Sequence, residues 1–139
     1  MENNVEKKED SKIQKCLGNH IILDIYECDS KLLNDVDVMR KILVETTQEI
    51  GAKVVSEGYK KFSPVGISAF VIITESHISV HTWPEHRYAA VDIFSCNKIV
   101  AEDVLTSIMD KFKAKSISMY SLQRGKLLES SDSTKLTKL

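Results

Sequence analysis

The chain has 139 residues, of which 42% are hydrophobic and 28% are charged, and its formal net charge is −1 at pH 7. This length and composition predict one soluble globular domain with enough core to fold without disulfides or structural metals. A charge this close to zero gives no indication of a nucleic-acid partner. No apolar run approaches the roughly 18 residues of a membrane span, and the polar first residues do not resemble a signal peptide. The composition therefore argues against a nucleic-acid partner and against a membrane protein.

The cysteines indicate the compartment. Cys16, Cys28 and Cys96 form no CxxC pair of the kind that binds metals, and their number is odd. Reduced thiols are the simplest interpretation of such a set. We therefore expect a cytoplasmic protein without structural disulfides.

The two ends of the chain differ from its middle. Residues 1–15 and 130–139 are polar or charged and lack periodic apolar positions. Such segments bury too little apolar surface to fold, so we expect both to be solvated, disordered arms. The remaining residues, 16–129, are predicted to form a single domain.

The first strand is predicted at 20–27. Its apolar residues Ile21, Leu23 and Ile25 alternate with other residues, which is the pattern of a strand with one buried face. Gly18, just before this stretch, indicates either a turn or a close backbone approach. The domain is therefore expected to open with a β-strand.

A helix is predicted next, because apolar residues recur near the 3.6-residue period from Leu32 to Ile50. Asn34 is the expected N-cap, and Asp37 three residues later favours the positive end of the helix dipole. Gly51 fits the position just beyond the end of the helix. The apolar stripe of this helix would cover one face of a sheet.

Further strands and a second helix follow. Pro64 and Gly66 indicate a turn at 61–66, and the nearly continuous apolar run after it predicts an interior strand. A second amphipathic helix is predicted between Val104 and Phe112. The remaining strands are predicted at 53–59, 67–74, 77–82, 89–96 and 116–122.

The order of these elements is β-α-β-β-β-β-α-β. It predicts an α+β fold, a two-layer α/β sandwich with a mostly antiparallel sheet and two helices on one face. The other face of the sheet would then lack a cover. A homodimer, or an active site on that face, would meet this need.

Several reactive side chains lie close together in one segment, 74–85, between two apolar runs. It contains two carboxylates, two histidines, several hydroxyls and the only tryptophan. If the segment is extended, His77 and His81 share one face while Ile78 and Val80 point to the core. Titratable groups held between buried strands are typical of an active site.

The residues alone leave several interpretations of this segment open. The spacing of His77 and His81 suits a metal site on a helix, but the segment is β-branched and has no HExxH pattern. Ser76 suits a hydrolase nucleophile, but no GxSxG elbow surrounds it. The simplest alternative is a set of hydrogen-bonded polar residues at the edge of a core. We predict no metal ligand.

A group of sequence blocks narrows these alternatives. Together the blocks resemble the short, prokaryotic-type S-adenosylmethionine decarboxylase proenzymes, which are pyruvoyl-dependent, and the resemblance extends over residues 17–125. The blocks are Leu17-Gly18-Asn19-His20, Tyr26-Glu27-Cys28-Asp29, Phe62-Ser63-Pro64-Val65-Gly66-Ile67-Ser68, Glu75-Ser76-His77, His81-Thr82-Trp83-Pro84-Glu85, Ala89-Ala90-Val91-Asp92 and Phe94-Ser95-Cys96.

The resemblance implies self-cleavage between Glu75 and Ser76, into a β chain of residues 1–75 and an α chain of residues 76–139. Ser76 would become a covalent pyruvoyl group, the self-generated cofactor, which forms a Schiff base with the substrate and accepts electrons as pyridoxal phosphate would. The product would be S-adenosylmethioninamine, the aminopropyl donor for spermidine biosynthesis. The family also implies a homodimer of αβ protomers.

The resemblance also implies roles for three further side chains. Ser68 would support the intermediate of self-cleavage, and His81 would remove the α-hydrogen of Ser76 as the processing base. Cys96 would return a proton to the α-carbon of the substrate after CO2 leaves. Each role suits the chemistry of the side chain, since hydroxyl, imidazole and thiol groups all transfer or hold protons.

The resemblance also implies two residues of the substrate pocket. Phe62 would stack on adenine, and Glu85 would bind ribose hydroxyls. Three positions depart from the family pattern, which usually has a tyrosine in place of Val65 and a glycine in place of Ala69 and of Asn97. The first two lie beside Ser68, where the substrate pocket is expected, so arginine decarboxylation on the same scaffold is the alternative activity. An unprocessed, non-catalytic paralogue is a third hypothesis.

Overall fold

The computed structural model describes residues 16–74, 76–96 and 101–127. The two predicted arms and Glu75 lie outside the described residues. Residues 128–129, at the end of the predicted domain, also lie outside them. Six strands, two helices and two short 3-10 turns, at Leu32–Asn34 and Pro84–His86, form the described part. The strands and helices are β1 Cys16–Tyr26, α1 Val36–Glu49, β2 Val54–Lys61, β3 Ile67–Ile73, β4 Ser76–Trp83, β5 Tyr88–Ser95, α2 Ala101–Lys111 and β6 Ser116–Lys126.

The six strands form one sheet in the order β2-β3-β4-β5-β1-β6. Every neighbouring pair is antiparallel. Both helices contribute to a single apolar cluster with the sheet. The predicted α+β sandwich is therefore confirmed, and β3 is an interior strand as its apolar run indicated.

The core lies between the helices and one face of the sheet. Strand residues at alternate positions, such as Leu23 and Ile78, are fully buried together with Met39 of α1 and Ile108 of α2. Burying each such side chain contributes about 1.5–3 kcal/mol to stability. Burial therefore alternates with a period of two along β3, β4 and β5, because only one face of the sheet packs against the helices.

The start of α1 corrects one prediction. Asp35, not Asn34, is the N-cap, and its carboxylate accepts hydrogen bonds from the N–H groups of Asp37 and Val38 at 3.0 and 3.2 Å. Asn34 instead ends a 3-10 turn, and its side chain bonds to a distant loop. The prediction for the other end was right, since Gly51 follows the C-cap with φ +76°.

The strands β1 and β6 are longer than predicted. They pair from Cys16↔Lys126 to Tyr26↔Ser116, so β1 begins before the predicted first residue. The extra residues of β6 are exposed, and those of β1 do not show the alternation of large apolar side chains that predicts a strand. Gly18 lies inside β1, and a Cβ there would lie 2.5 Å from the Phe94 ring. Its role is therefore the close approach and not the turn.

The second face of the sheet, here called the open face, carries the side chains that alternate with the buried ones. Both described helices pack on the opposite face. Several large apolar side chains of the open face are 41–56% exposed. None of the described helices is long and apolar enough to cross a membrane. The open face includes Ser68, Phe70, Ile72, His77, Ser79, His81, Trp83, Ala90, Asp92, Phe94, His20, Ile22, Asp24, Tyr120 and Leu122.

Candidate active site

The first feature of the site is a serine–histidine pair on the open face. Ser68 of β3 and His81 of β4 lie directly opposite each other in the antiparallel ladder. The Ser68 Oγ and the His81 Nδ1 share a hydrogen bond of 2.7 Å. Two strands of a sheet hold this pair, so the imidazole is positioned to accept or donate a proton.

A cavity of about 200 Å³ adjoins this pair. Phe62 and Glu85, the two residues expected to bind substrate, line it together with Ser68 and His81. Phe62 is 47% exposed, so its ring is available to a ligand and does not plug the core. Trp83 also lines the cavity, although the sequence blocks imply no role for it in the site.

A short loop forms one wall of this cavity. The N–H of Phe62 donates to the carbonyl of Gly66 at 2.8 Å, which closes the loop between β2 and β3. Gly66 adopts φ +109°, a conformation that favours glycine. The predicted turn is therefore confirmed, and the hydrogen bond that closes it fixes the position of the Phe62 main chain.

The second feature of the site is the pair of Ser76 and Cys96. Ser76 is the first residue of β4 and is 8% exposed. The N–H of Cys96 donates to the Ser76 Oγ at 3.2 Å, and the Cys96 Sγ lies 3.8 Å from the same oxygen. Cys96 itself follows β5 and is exposed. The two residues expected to form and to use the cofactor are thus in contact.

The two pairs do not meet within one chain. The ladder between β3 and β4 runs from Ser68↔His81 to Ile73↔Ser76. Five residues of strand separate His81 from Ser76, which corresponds to about 16 Å. Ser76 also shares the alternation of the buried positions, whereas His81 belongs to the open face. The motif places these residues close in sequence, but the strand holds them apart.

A polar cluster that sequence reasoning missed lies on the open face near Ser76. The His20 Nε2 lies 3.0 Å from the Asp92 Oδ1, and Arg124 approaches the His20 Nδ1 at 3.3 Å. The Phe94 ring contacts both His20 and His77, with ring centroids 5.9 and 5.7 Å apart. These residues come from four strands and lie up to 104 positions apart. The sequence blocks include His20 and Asp92 but do not indicate that the two side chains are in contact.

The environment of Cys28 differs from that of Cys96. Cys28 is fully buried in the apolar cluster, and burial raises the pKa of its thiol to about 11. At neutral pH this cysteine therefore remains a protonated packing residue. Of these two thiols, the exposed one lies beside Ser76.

Comparisons with known proteins show which family the chain belongs to. The family model described as S-adenosylmethionine decarboxylase matches residues 19–125. The S-adenosylmethionine decarboxylase proenzyme of Acetivibrio thermocellus is 44% identical over 110 residues, which cover 78% of this chain and 89% of that protein. The proenzyme of Clostridium kluyveri is 46% identical over 110 residues, covering 78% of this chain and 87% of that protein.

A solved structure gives the same result. The crystal structure of the adenosylmethionine decarboxylase from Aquifex aeolicus is similar with a TM-score of 0.76 and 32% sequence identity. The match covers 86% of this chain and 99% of that chain. The resemblance of the sequence blocks is thereby confirmed over most of the chain. This chain belongs to the S-adenosylmethionine decarboxylase family.

Proposed function

We propose that this chain is a self-cleaving proenzyme whose mature form decarboxylates S-adenosylmethionine to S-adenosylmethioninamine. The observation that carries the proposal is the contact of Ser76 with Cys96 in a chain of this family. The relatives at 39–46% identity are named S-adenosylmethionine decarboxylase proenzymes, which does not favour the arginine alternative. The mature enzyme would supply the aminopropyl donor for spermidine synthesis.

Self-cleavage would proceed at the bond between Glu75 and Ser76. The Ser76 Oγ attacks the carbonyl carbon of Glu75, the C–N bond breaks, and an ester replaces the peptide. Removal of the α-hydrogen of Ser76 by His81 then expels the Glu75 carboxylate and leaves dehydroalanine. Water hydrolyses this residue, ammonia leaves, and a pyruvoyl group remains at the new terminus. The hydroxyl of Ser68 supports the first step by donating to the oxygen that becomes negative.

The surroundings of Ser76 fit such a group. The site is 8% exposed, which shields reactive chemistry from water, and the Cys96 N–H already donates to an oxygen of residue 76. The pyruvoyl group would supply an electron sink for the bond that loses CO2. Cys96 would hold a proton at Sγ for the substrate α-carbon. Phe62 and Glu85 would orient the adenosine portion.

A homodimer would make this set of residues complete. Within one chain about 16 Å of strand separate His81 from Ser76, too far for a proton transfer. A two-fold dimer through the open face would bring the Ser68–His81 pair of one chain to the Ser76–Cys96 pair of the other. The exposed side chains Phe70, Ile72 and Leu122 on that face support this interface. We therefore propose two composite sites per dimer.

Intact mass and CO2 release test the function. The wild-type chain is expected to yield two shorter chains and to release CO2 from S-adenosylmethionine carrying a labelled carboxylate. Ser76→Ala should abolish both, whereas Ser121→Ala, at an exposed serine of β6, should change neither. A wild-type chain that stays at full length would exclude the pyruvoyl mechanism. CO2 from arginine and none from S-adenosylmethionine would overturn the choice of substrate.

A further inference from the structure

Thr82 is a buried residue between two residues of the site, His81 and Trp83. It is 6% exposed, and its hydroxyl lies against two other segments of the chain. The Thr82 Oγ1 donates to the carbonyl of Leu33 at 2.7 Å and accepts from the N–H of Ile67 at 2.9 Å. One hydroxyl thus joins the 3-10 turn at Leu32–Asn34 to both strands of the serine–histidine pair.

These contacts lie where the regular ladder ends. The pairing of β3 with β4 stops at Ser68↔His81, and Ile67 and Thr82 are the next residue on each strand. The N–H of Ile67 is bonded to a side-chain hydroxyl at this point. The Thr82 hydroxyl therefore continues the connection between the strands just beyond the 2.7 Å bond of Ser68 and His81.

Asn34, in the same 3-10 turn, makes a parallel contact with the loop that carries Phe62. Its Oδ1 accepts from the N–H of Gly66 at 3.0 Å, and the carbonyl of Gly66 accepts from the N–H of Phe62 at 2.8 Å. A Cβ on Gly66 would lie 3.2 Å from the carbonyl of Thr82, so loop and strand are closely packed. Asn34 thus holds the wall of the cavity that contains Phe62.

We propose that the 3-10 turn at Leu32–Asn34 is a brace, and that Thr82 and Asn34 are positioning residues for the site. Through Leu33, Thr82 fixes the relative position of Ser68 and His81. Through Gly66, Asn34 fixes the loop that presents Phe62. The inference rests on the proposed function, because it assigns the pair to self-cleavage and the loop to substrate binding. Neither residue touches the reacting atoms.

The brace predicts a kinetic effect beyond a loss of stability. A displacement of about 1 Å in a catalytic pair can cost roughly a hundredfold in rate. Thr82→Val keeps the shape of the side chain and removes the hydroxyl, so we expect self-cleavage to slow by about tenfold to a hundredfold. Thr82→Ser restores the hydroxyl and should restore most of the rate.

Thr47 provides a matched control. It is also fully buried, and its hydroxyl donates to the carbonyl of Leu43 at 2.8 Å, within α1. Thr47→Val also removes a buried hydroxyl, so both valine variants should lose thermal stability, and Thr82→Val, which removes two hydrogen bonds, should lose more. Self-cleavage is followed by intact mass at a temperature where both remain folded. Only Thr82→Val should slow it.

Two results would overturn the role of Thr82. One is cleavage of Thr82→Val at the wild-type rate, and the other is equal slowing in Thr47→Val, which would make stability the cause. A wild-type chain that does not cleave would instead overturn the proposed function. These outcomes are distinguishable because all four chains are assayed together.

Asn34 supplies an independent test if Thr82→Val does not fold. Asn34→Ala removes the acceptor for the Gly66 N–H, whereas Asn34→Asp keeps one. In the mature enzyme we expect Asn34→Ala to raise KM for S-adenosylmethionine about tenfold with kcat within about twofold, and Asn34→Asp to stay near the wild type. An unchanged KM in Asn34→Ala, or an equal loss in both variants, would overturn the brace.

Discussion

The two ends of β4 are built differently, although both contribute to the candidate site. At one end, His81 lies in a regular ladder opposite Ser68, on the open face and beside a cavity. At the other end, Ser76 is the first strand residue, almost buried, and its contact is with Cys96 just beyond β5. A ladder of hydrogen bonds between strands holds the side chains in position and leaves little freedom to the main chain. The difference indicates that a bond to be broken is placed where pairing ends, and the groups that act on it where pairing is regular.

The most decisive test of this division mixes two inactive chains. Ser76→Ala lacks the bond-forming hydroxyl and His81→Ala lacks the base, so each alone should remain uncleaved. Co-expressed with different tags, they would form dimers in which one composite site is complete. We expect about half of the His81→Ala chains to be cleaved if equal amounts mix at random. Intact mass of each tagged chain measures this.

Two controls accompany the mixed dimers. Combining Ser76→Ala with Ser68→Ala tests whether Ser68 acts from the same side as His81, and it should give the same partial cleavage. Combining His81→Ala with Ser68→Ala should give none, since neither chain has an intact pair. An absence of cleavage in both mixtures that contain Ser76→Ala would show that each chain supplies its own site and would contradict the proposed dimer.

A substitution of Cys96, in the pair at the Ser76 end of β4, is expected to distinguish self-cleavage from decarboxylation. Cys96→Ala keeps the main-chain N–H that donates to Ser76, so self-cleavage should remain within a few-fold of the wild type. Loss of the thiol removes the proposed proton donor, and kcat for CO2 release is expected to fall by about 10²–10⁴. Cys16→Ala is the control, because Cys16 lies at the start of β1. A wild-type kcat in Cys96→Ala would remove this residue from the mechanism.

Phe62 tests the cavity at the other end with a smaller expected effect. Stacking of a base on an aromatic ring is worth about 1–3 kcal/mol, so Phe62→Ala should raise KM for S-adenosylmethionine by roughly tenfold or more. Phe62→Tyr keeps the ring and should keep KM near the wild type. Self-cleavage involves no substrate and should be unaffected in both. Slow self-cleavage in Phe62→Ala would mean that the loop also positions the Ser68–His81 pair and does not only bind the substrate.

Local patterns in the sequence explain how much of this arrangement is predictable. The alternation along β4 placed His77 and His81 on one face because a buried face imposes a period of two. The resemblance supplied Ser68, Cys96, Phe62 and Glu85, and all but Cys96 line the same cavity. These predictions depend on residues that are near in sequence or on a specific motif.

The remaining features depend on contacts between distant segments. The prediction of Asn34 as the N-cap was wrong because the neighbouring Asp35 suits a cap equally well. Only the bond of the Asn34 side chain to the distant Gly66 explains its different role. The contact of His20 with Arg124 depends on the register of β1 with β6. The distance of about 16 Å between the two pairs follows from the extended conformation of β4. A sequence motif does not indicate this distance, because it shows only that the residues are close in sequence.

The position of β1 in the sheet has a consequence for the mature protein. A break after Glu75 would leave β1, β2 and β3 on one polypeptide and β4, β5 and β6 on the other. In the order β2-β3-β4-β5-β1-β6, strand β1 lies between two strands of the second polypeptide. Neither product could rebuild this sheet alone, so the two would be interlocked without a covalent bond. Folding would have to precede the break, and recovery from denaturant would change from a single-chain event to a concentration-dependent meeting of two.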